Sequence, residues 1–204
     1  MLGAVVLCGG ESRRMGQPKA WLPFGPERML QRVVRIVGQE AGAVVVVAAP
    51  GQDCPPLPDS VPIIRDPVSG RGPLQGLAAG LIALPDSAEF VYATATDAPF
   101  LRPAWIRRLR KLVGADDVAL PFVGGFHHPL AAVYRRRTVL PAIENLLRED
   151  QLRLLDLMQH VRTRVIDGDQ LRLVDPELKS LRNVNTVAEY EQALSDAGFP
   201  YPAR

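Results

Sequence analysis

The sequence predicts an α/β protein, built as a doubly wound, mostly parallel sheet with helices on both faces. Three observations lead there. Gly3 to Cys8 and Ala43 to Ala49 are unbroken apolar runs, as strands covered on both sides must be. Apolar residues at helical spacing follow them, clearest at Leu30, Val33, Val34 and Val37. Strand-like and helix-like segments then alternate through the first 115 residues, the rhythm of βαβ units.

Taken in order, the first run ends at Gly9-Gly10. Met29 to Glu40 carries the helical pattern, and Ala43 to Ala49 is the second strand. Pro50 to Pro58 (PGQDCPPLP) reads as a surface loop, and Val61 to Ile64 as a short third strand. The glycines at 70 and 72 lead into a helix from Leu74 to Leu84. Glu89 to Thr96 is a fourth strand that delivers Asp97. Pro103 opens the next helix, where its missing N–H costs nothing. Right-handed crossovers would place these helices on both faces. Beyond residue 115 the pattern predicts a hairpin, Val118–Phe122 with Leu130–Tyr134, around Gly124-Gly125. Helices over Thr138–Arg148 and Leu152–Met158, strands over Arg162–Ile166 and Leu171–Val174, and a helix over Val187–Ala197 complete the expectation.

Composition narrows the function classes. Hydrophobic residues at 47% and charged residues at 23% describe an ordinary globular domain, and 204 residues suffice for one core without staples. Twenty-four basic against 22 acidic residues, and aromatics at 6%, argue against a nucleic-acid-binding face. No apolar run is long enough to span a bilayer, and no signal peptide is evident, so a cytoplasmic location is expected. Cys8 and Cys54 lie far apart in sequence with no CxxC spacing, which suggests neither a disulfide framework nor a zinc site.

In open α/β sheets ligands gather beyond the carboxyl ends of the strands. The residues suited to chemistry stand there. After the first strand comes Leu7-Cys8-Gly9-Gly10-Glu11-Ser12-Arg13-Arg14-Met15-Gly16-Gln17-Pro18-Lys19. Its glycines allow close approach of the backbone, and its successive N–H groups can form an anion nest. Ser12 adds a hydroxyl, and Arg13 and Lys19 add positive charge. This is neither a Walker sequence nor GxGxxG. Asp97 follows the fourth strand in Thr96-Asp97-Ala98-Pro99-Phe100-Leu101, suited to hold a magnesium ion that also meets phosphate oxygens, or alternatively to cap a helix. Asp66, with Gly72, Pro73 and Leu74 at the start of a helix, forms a third cluster, either a nucleoside contact or a plain turn. His127-His128-Pro129 faces an acceptor or is a surface turn. Adjacent histidines on a strand point apart, against a two-His metal site. Asn183-Val184-Asn185-Thr186 puts two amides on one face, or caps the final helix.

In this order the motifs resemble the molybdenum cofactor guanylyltransferase family, of the Rossmann-like nucleotide-diphospho-sugar transferase fold. They read LxGGxSxRMGxxK at Leu7 to Lys19, D…GPLxGL at Asp66 to Leu77, TDxPFL at Thr96 to Leu101, HPL at His128 to Leu130 and NVNT at Asn183 to Thr186. The resemblance implies transfer of GMP from GTP to molybdopterin with release of pyrophosphate. It implies GTP contacts at Leu7, Cys8 and Gly9, phosphate contact at Lys19, nucleoside contact at Asp66, and GTP and Mg2+ at Asp97. From the residues themselves, Gly10, Ser12, Gly72, Pro73 and Leu74 are expected to join the nucleotide site, Arg13 to assist catalysis, and His128, Asn183 and Asn185 to face the acceptor. Residues 1–115 would hold the NTP and 116–204 the acceptor. GTP and molybdopterin are the expected partners, without nucleic acid or membrane, together with transient contact to cofactor delivery proteins. Cytidylyl relatives usually read AAG where this chain has Cys8-Gly9-Gly10, which points to guanine. The chain departs from the family's pattern at Val47-Ala48-Ala49-Pro50, where an asparagine is often found. The alternatives are a cytidylyltransferase for the same cofactor, another small-molecule nucleotidyltransferase, and a non-catalytic nucleotide carrier.

Overall fold

The computed structural model describes residues 1–9, 17–68 and 70–201. Its centre is one sheet in the order β10-β7-β9-β6-β1-β4-β5, with a short β8 paired to β7. The strands are β1 (Leu2–Leu7), β4 (Ala43–Ala48), β5 (Ile63–Arg65), β6 (Phe90–Ala95), β7 (Val118–Val123), β8 (Phe126–His127), β9 (Ala131–Arg135) and β10 (Thr163–Asp167). A separate two-stranded ribbon joins β2 (Pro23–Phe24) to β3 (Glu27–Arg28). β1 runs parallel to β4 on one side and to β6 on the other, and β5 is parallel to β4. β9 is antiparallel to both β6 and β7. β7 therefore runs in the direction of β6, and all these parallel strands end at one rim.

Alternation along β1 feeds two cores, one on each face of the sheet. Ala4, Val6 and Cys8 point to a layer formed by α1 (Met29–Val37), α3 (Pro103–Leu112) and α5 (Gly168–Arg172). Val5 and Leu7 point to the layer of α2 (Gly72–Ala83), α4 (Arg136–Arg148) and the 3-10 turn Leu154–Gln159. Trp105, on α3, is wholly buried and still satisfies its indole N–H, which donates to the Ala131 carbonyl at 3.3 Å. A third cluster packs α6 (Val187–Asp196) on the β2–β3 ribbon through Tyr190, Leu194, Leu22 and Phe24. No helix among the described residues is long and apolar enough to cross a membrane.

The second half departs from expectation in three places. Gly124 and Gly125, both at positive φ, do turn the chain, but the strand they return is the two-residue β8. The expected partner, here β9, does pair antiparallel with β7, Tyr134 opposite Val118, but it lies between β7 and β6 and also pairs Ala132 with Ala93. Leu171–Val174 is not a strand: α5 occupies Gly168–Arg172, started by the Asp167 carboxylate, which accepts from the Asp169 N–H at 2.8 Å. The Leu152–Met158 segment forms a 3-10 helix over Leu154–Gln159 rather than an α-helix.

Candidate active site

The rim shared by β1, β4, β5 and β6 gathers the first-half candidates. Leu7 is the last residue of β1. Its carbonyl accepts from the Thr96 N–H at 3.1 Å and the Thr96 hydroxyl at 3.3 Å. That pairing ties the exit of β1 to the exit of β6, so Cys8-Gly9 and Asp97 leave the sheet side by side. Gly10, Ser12 and Arg13 lie outside the described residues.

Lys19 begins a 3-10 turn (Lys19–Trp21), and its ammonium stands 3.1 Å from Asp97 Oδ2 and 2.7 Å from Asn185 Oδ1. Asp97 does not cap α3, whose N-cap is Arg102. Its second oxygen, Oδ1, is buried and finds no hydrogen-bond partner among the described residues. A carboxylate with one oxygen on a lysine and the other buried without a partner among the described residues offers an acceptor to a cation or a donor. The main chain of Asp97 is held as well, since its carbonyl accepts from the Val184 N–H at 2.9 Å.

The capping alternative for the Asn183–Thr186 segment is the one seen, at Thr186. Thr186 caps α6, its hydroxyl accepting from the Glu189 N–H at 3.2 Å. Glu189 returns the contact, accepting from the N–H groups of Asn185 at 2.7 Å and Thr186 at 2.9 Å. The Asn185 backbone donates hardest among the causes that hold the Glu189 carboxyl below its ordinary range. With its backbone fixed, Asn185 turns its side chain to Lys19, while Asn183 is exposed.

Asp66 emerges from β5 at the same rim, its N–H bonded to the Ala48 carbonyl at 2.9 Å. Oδ1 accepts from the Val68 N–H at 3.1 Å, the tight turn expected as its alternative role. Its Oδ2 faces Gly76, where an added Cβ would lie 3.9 Å away. Gly72 and Pro73 form the first turn of α2, with Leu74 wholly buried, so that Leu74 offers a ligand its backbone alone. His128 lies beyond β8. Its main-chain N–H bonds to Pro121 O at 2.9 Å, and its ring Nε2 lies 3.4 Å from Val123 O. Burial lowers the His128 pKa, which favours the neutral ring. The β9 register pairs Ala131 with Thr94, which brings the preceding His128-Pro129 to the rim where β6 ends.

Two features here escaped the sequence. Cys8 and Cys54 are brought together, with Sγ atoms 3.9 Å apart. Burial pushes the Cys8 thiol up to about 12, so it is protonated and inert rather than a nucleophile. Gln52 reaches across to the Cys8 carbonyl at 2.6 Å. The only sequence hint was Pro50-Gly51, a turn signal capable of folding Gln52 back.

The family model for the MobA-like NTP transferase domain matches residues 4–164. The chain belongs to this family. It is therefore a nucleotidyltransferase. A probable molybdenum cofactor guanylyltransferase of Mycobacterium tuberculosis H37Rv is 38% identical over 192 residues, which cover 92% of this chain and 90% of that protein. The fold matches that of molybdopterin-guanine dinucleotide biosynthesis protein A from Archaeoglobus fulgidus, with a TM-score of 0.79 at 21% identity, over 97% of this chain and 99% of that one. It also matches a Mycobacterium tuberculosis protein crystallised with manganese, with a TM-score of 0.66 at 18% identity, over 95% of this chain and 98% of that one.

Proposed function

We propose that this enzyme transfers GMP from GTP to molybdopterin, producing molybdopterin guanine dinucleotide and pyrophosphate, as a step in molybdenum cofactor biosynthesis. The observation that carries the reading is the Lys19–Asp97 pair beside the Cys8-Gly9 exit of β1, with Asp97 Oδ1 buried and without a partner among the described residues. The name of the 38%-identical relative supports the cofactor and the guanine.

The acceptor's terminal phosphate is ionised at neutral pH and needs no general base. It attacks the α-phosphorus of GTP, and the bond to the leaving pyrophosphate breaks. The protein's contribution is alignment and charge stabilisation. Gly9, with Gly10 and Ser12, would offer N–H and hydroxyl donors to the nucleotide. Lys19, with Arg13, would offset charge growing on the leaving group. Asp97 Oδ1 would hold the divalent cation, Mg2+ in our reading, and the bound ion would neutralise phosphate charge. Asn185 steadies Lys19 so that its ammonium stays between Asp97 and the phosphates. Asp66 would contact the nucleoside across Gly76. Residues 1–115 would hold the nucleotide and residues 116–204 the acceptor, with His128 and Asn183 on that side.

Pyrophosphate release, measured with each of the four NTPs and magnesium, with and without molybdopterin, tests this. GTP with molybdopterin should give the largest rate. A higher rate with CTP would reassign the base, and release that does not depend on molybdopterin would reassign the acceptor.

A further inference from the structure

The parallel ladder between β1 and β4 breaks at the rim in an unusual way. Cys8 N–H still bonds to Val47 O, at 2.7 Å. In a regular parallel ladder the next bond would run from Ala49 N–H to the Cys8 carbonyl. The carboxamide of Gln52 stands in that place. Its Oε1 accepts from Ala49 N–H at 3.2 Å, and its Nε2 donates to the Cys8 carbonyl at 2.6 Å. One side-chain amide is thus spliced between two strands as an extra peptide unit. The carboxamide bridges the two groups that a direct ladder bond would join, while Gly9 stays close to β4, a Cβ added there lying 3.7 Å from Ala49 N.

The sequence builds this device locally. Ala49-Pro50-Gly51-Gln52 is a turn closed by Gln52 N–H to Ala49 O at 3.1 Å, with Gly51 at φ 70. Proline followed by a residue at positive φ is the type II pattern, which glycine fills without strain. Arg65 fixes the turn from β5, donating to the Gln52 carbonyl at 2.6 Å. The half-buried Gln52 side chain is left folded back onto the strand its own segment has just left.

A trans peptide points its C=O and its following N–H in opposite directions. The ladder already directs the Cys8 carbonyl to the β4 side, and Gln52 holds it there beyond the last ladder bond, so the Gly9 N–H stays turned to the β6 side, where Thr96 and Asp97 emerge. We infer that Gln52 is a positioning residue for nucleotide binding: its carboxamide fixes the Cys8–Gly9 peptide where the β1–β4 ladder stops and so holds the Gly9 N–H toward the Lys19–Asp97 cleft. This rests on the reading that Cys8-Gly9 meets the nucleotide.

Two variants test it. Gln52→Met keeps the volume and removes both hydrogen bonds. Gln52→Glu keeps the acceptor for Ala49 N–H but, when ionised, sets a carboxylate against the Cys8 carbonyl. Titration calorimetry with GTP and magnesium should show affinity about tenfold weaker or more in both, the scale of a lost hydrogen bond with its partner left unpaired. KM for GTP should rise in step while kcat at saturating GTP stays near wild type, the signature of lost uniform binding rather than of a loosened fold. In mildly acid buffer Gln52→Glu should recover affinity relative to wild type, because a protonated carboxyl offers one donor and one acceptor as the carboxamide does. Gln52→Met should not recover. Wild-type affinity and KM in both variants, or a deficit in Gln52→Glu that persists unchanged in acid, would overturn the inference. A wild-type protein that binds none of the four NTPs would instead overturn the nucleotide reading, and this inference with it.

Discussion

The two wings of the sheet are built by different rules. In β5, β4, β1 and β6 the neighbours are parallel, and β1 and β4 are buried on both faces. In β9, β7, β8 and β10 the pairs are mostly antiparallel; β9 and the start of β7 are buried, while β10 is mostly exposed and β8 fully so. The first wing supplies Asp97 and the Cys8-Gly9 exit, fixed by ladder bonds from buried strands. The second wing and the tail supply side chains on turns, such as His128 and Asn185, fixed by individual hydrogen bonds. Rigid backbone holds the charge, and adaptable polar contacts surround it.

Removing the charge held by the first wing should have the largest effect. Asp97→Ala should lower turnover in the pyrophosphate-release assay by about a hundredfold or more, the scale of one preorganised electrostatic contact. Near-normal turnover would show that the parallel rim does not hold the metal. The link between wing and tail ranks next. Asn185→Ala leaves Lys19 beside Asp97 but removes its amide partner, and turnover should fall about tenfold, with rather little change in melting temperature. An effect as large as that of Asp97→Ala would erase the proposed contrast between rigid core and adaptable rim.

These two positions also mark what a sequence can disclose. The apolar run into Gly9 and the position of Asp97 were legible because buried parallel strands leave an unbroken apolar record, and ligands gather where that record stops. α5 reads as a strand because Leu171-Arg172-Leu173 alternates apolar and polar residues, yet Leu171 is buried and Leu173 exposed, so the two do not share the face a strand would give them. The better signal was Asp167, an N-cap followed by Gly and Asp. β9 was recognisable as a strand but not as the neighbour of β6, since pairing over forty residues leaves no local trace. For the same reason Gln52 went unnoticed: its decisive partner is 44 residues away, and nothing in PGQDC names it.

Smaller effects sharpen the contrast within the second wing. Tyr134 is wholly buried, and its hydroxyl donates to the Pro129 carbonyl at 2.6 Å, tethering the segment that carries His128. Tyr134→Phe should cost about 1 kcal/mol in urea unfolding, possible to measure by circular dichroism. An unchanged midpoint would mean that the tether is not part of the wing's stability. The smallest effect concerns Asp117, at the base of this wing. Burial would raise its pKa, but the Arg162 main-chain N–H and guanidinium outweigh burial and hold the carboxyl below its ordinary range. A depressed carboxyl contributes stability that is fully present above its unfolded value of about 3.9 and is lost as the pH falls through the folded value. Asp117→Asn should therefore show a shallower loss of stability below about pH 4 than wild type, in melting curves taken across that range. Parallel curves would remove Asp117 from the acid response.

The bond from Lys19 to Asn185 joins residues 166 apart in sequence. Chains emerge from the ribosome amino end first, and the β1 rim can fold long before Asn185 exists. Until Glu189 has followed and closed the cap that fixes Asn185, the lysine lacks its final support. On the proposed function, a growing chain would carry Lys19 and Asp97 before the residue that completes their hydrogen-bonded arrangement, and Asn185 would join them only once synthesis had passed the start of α6.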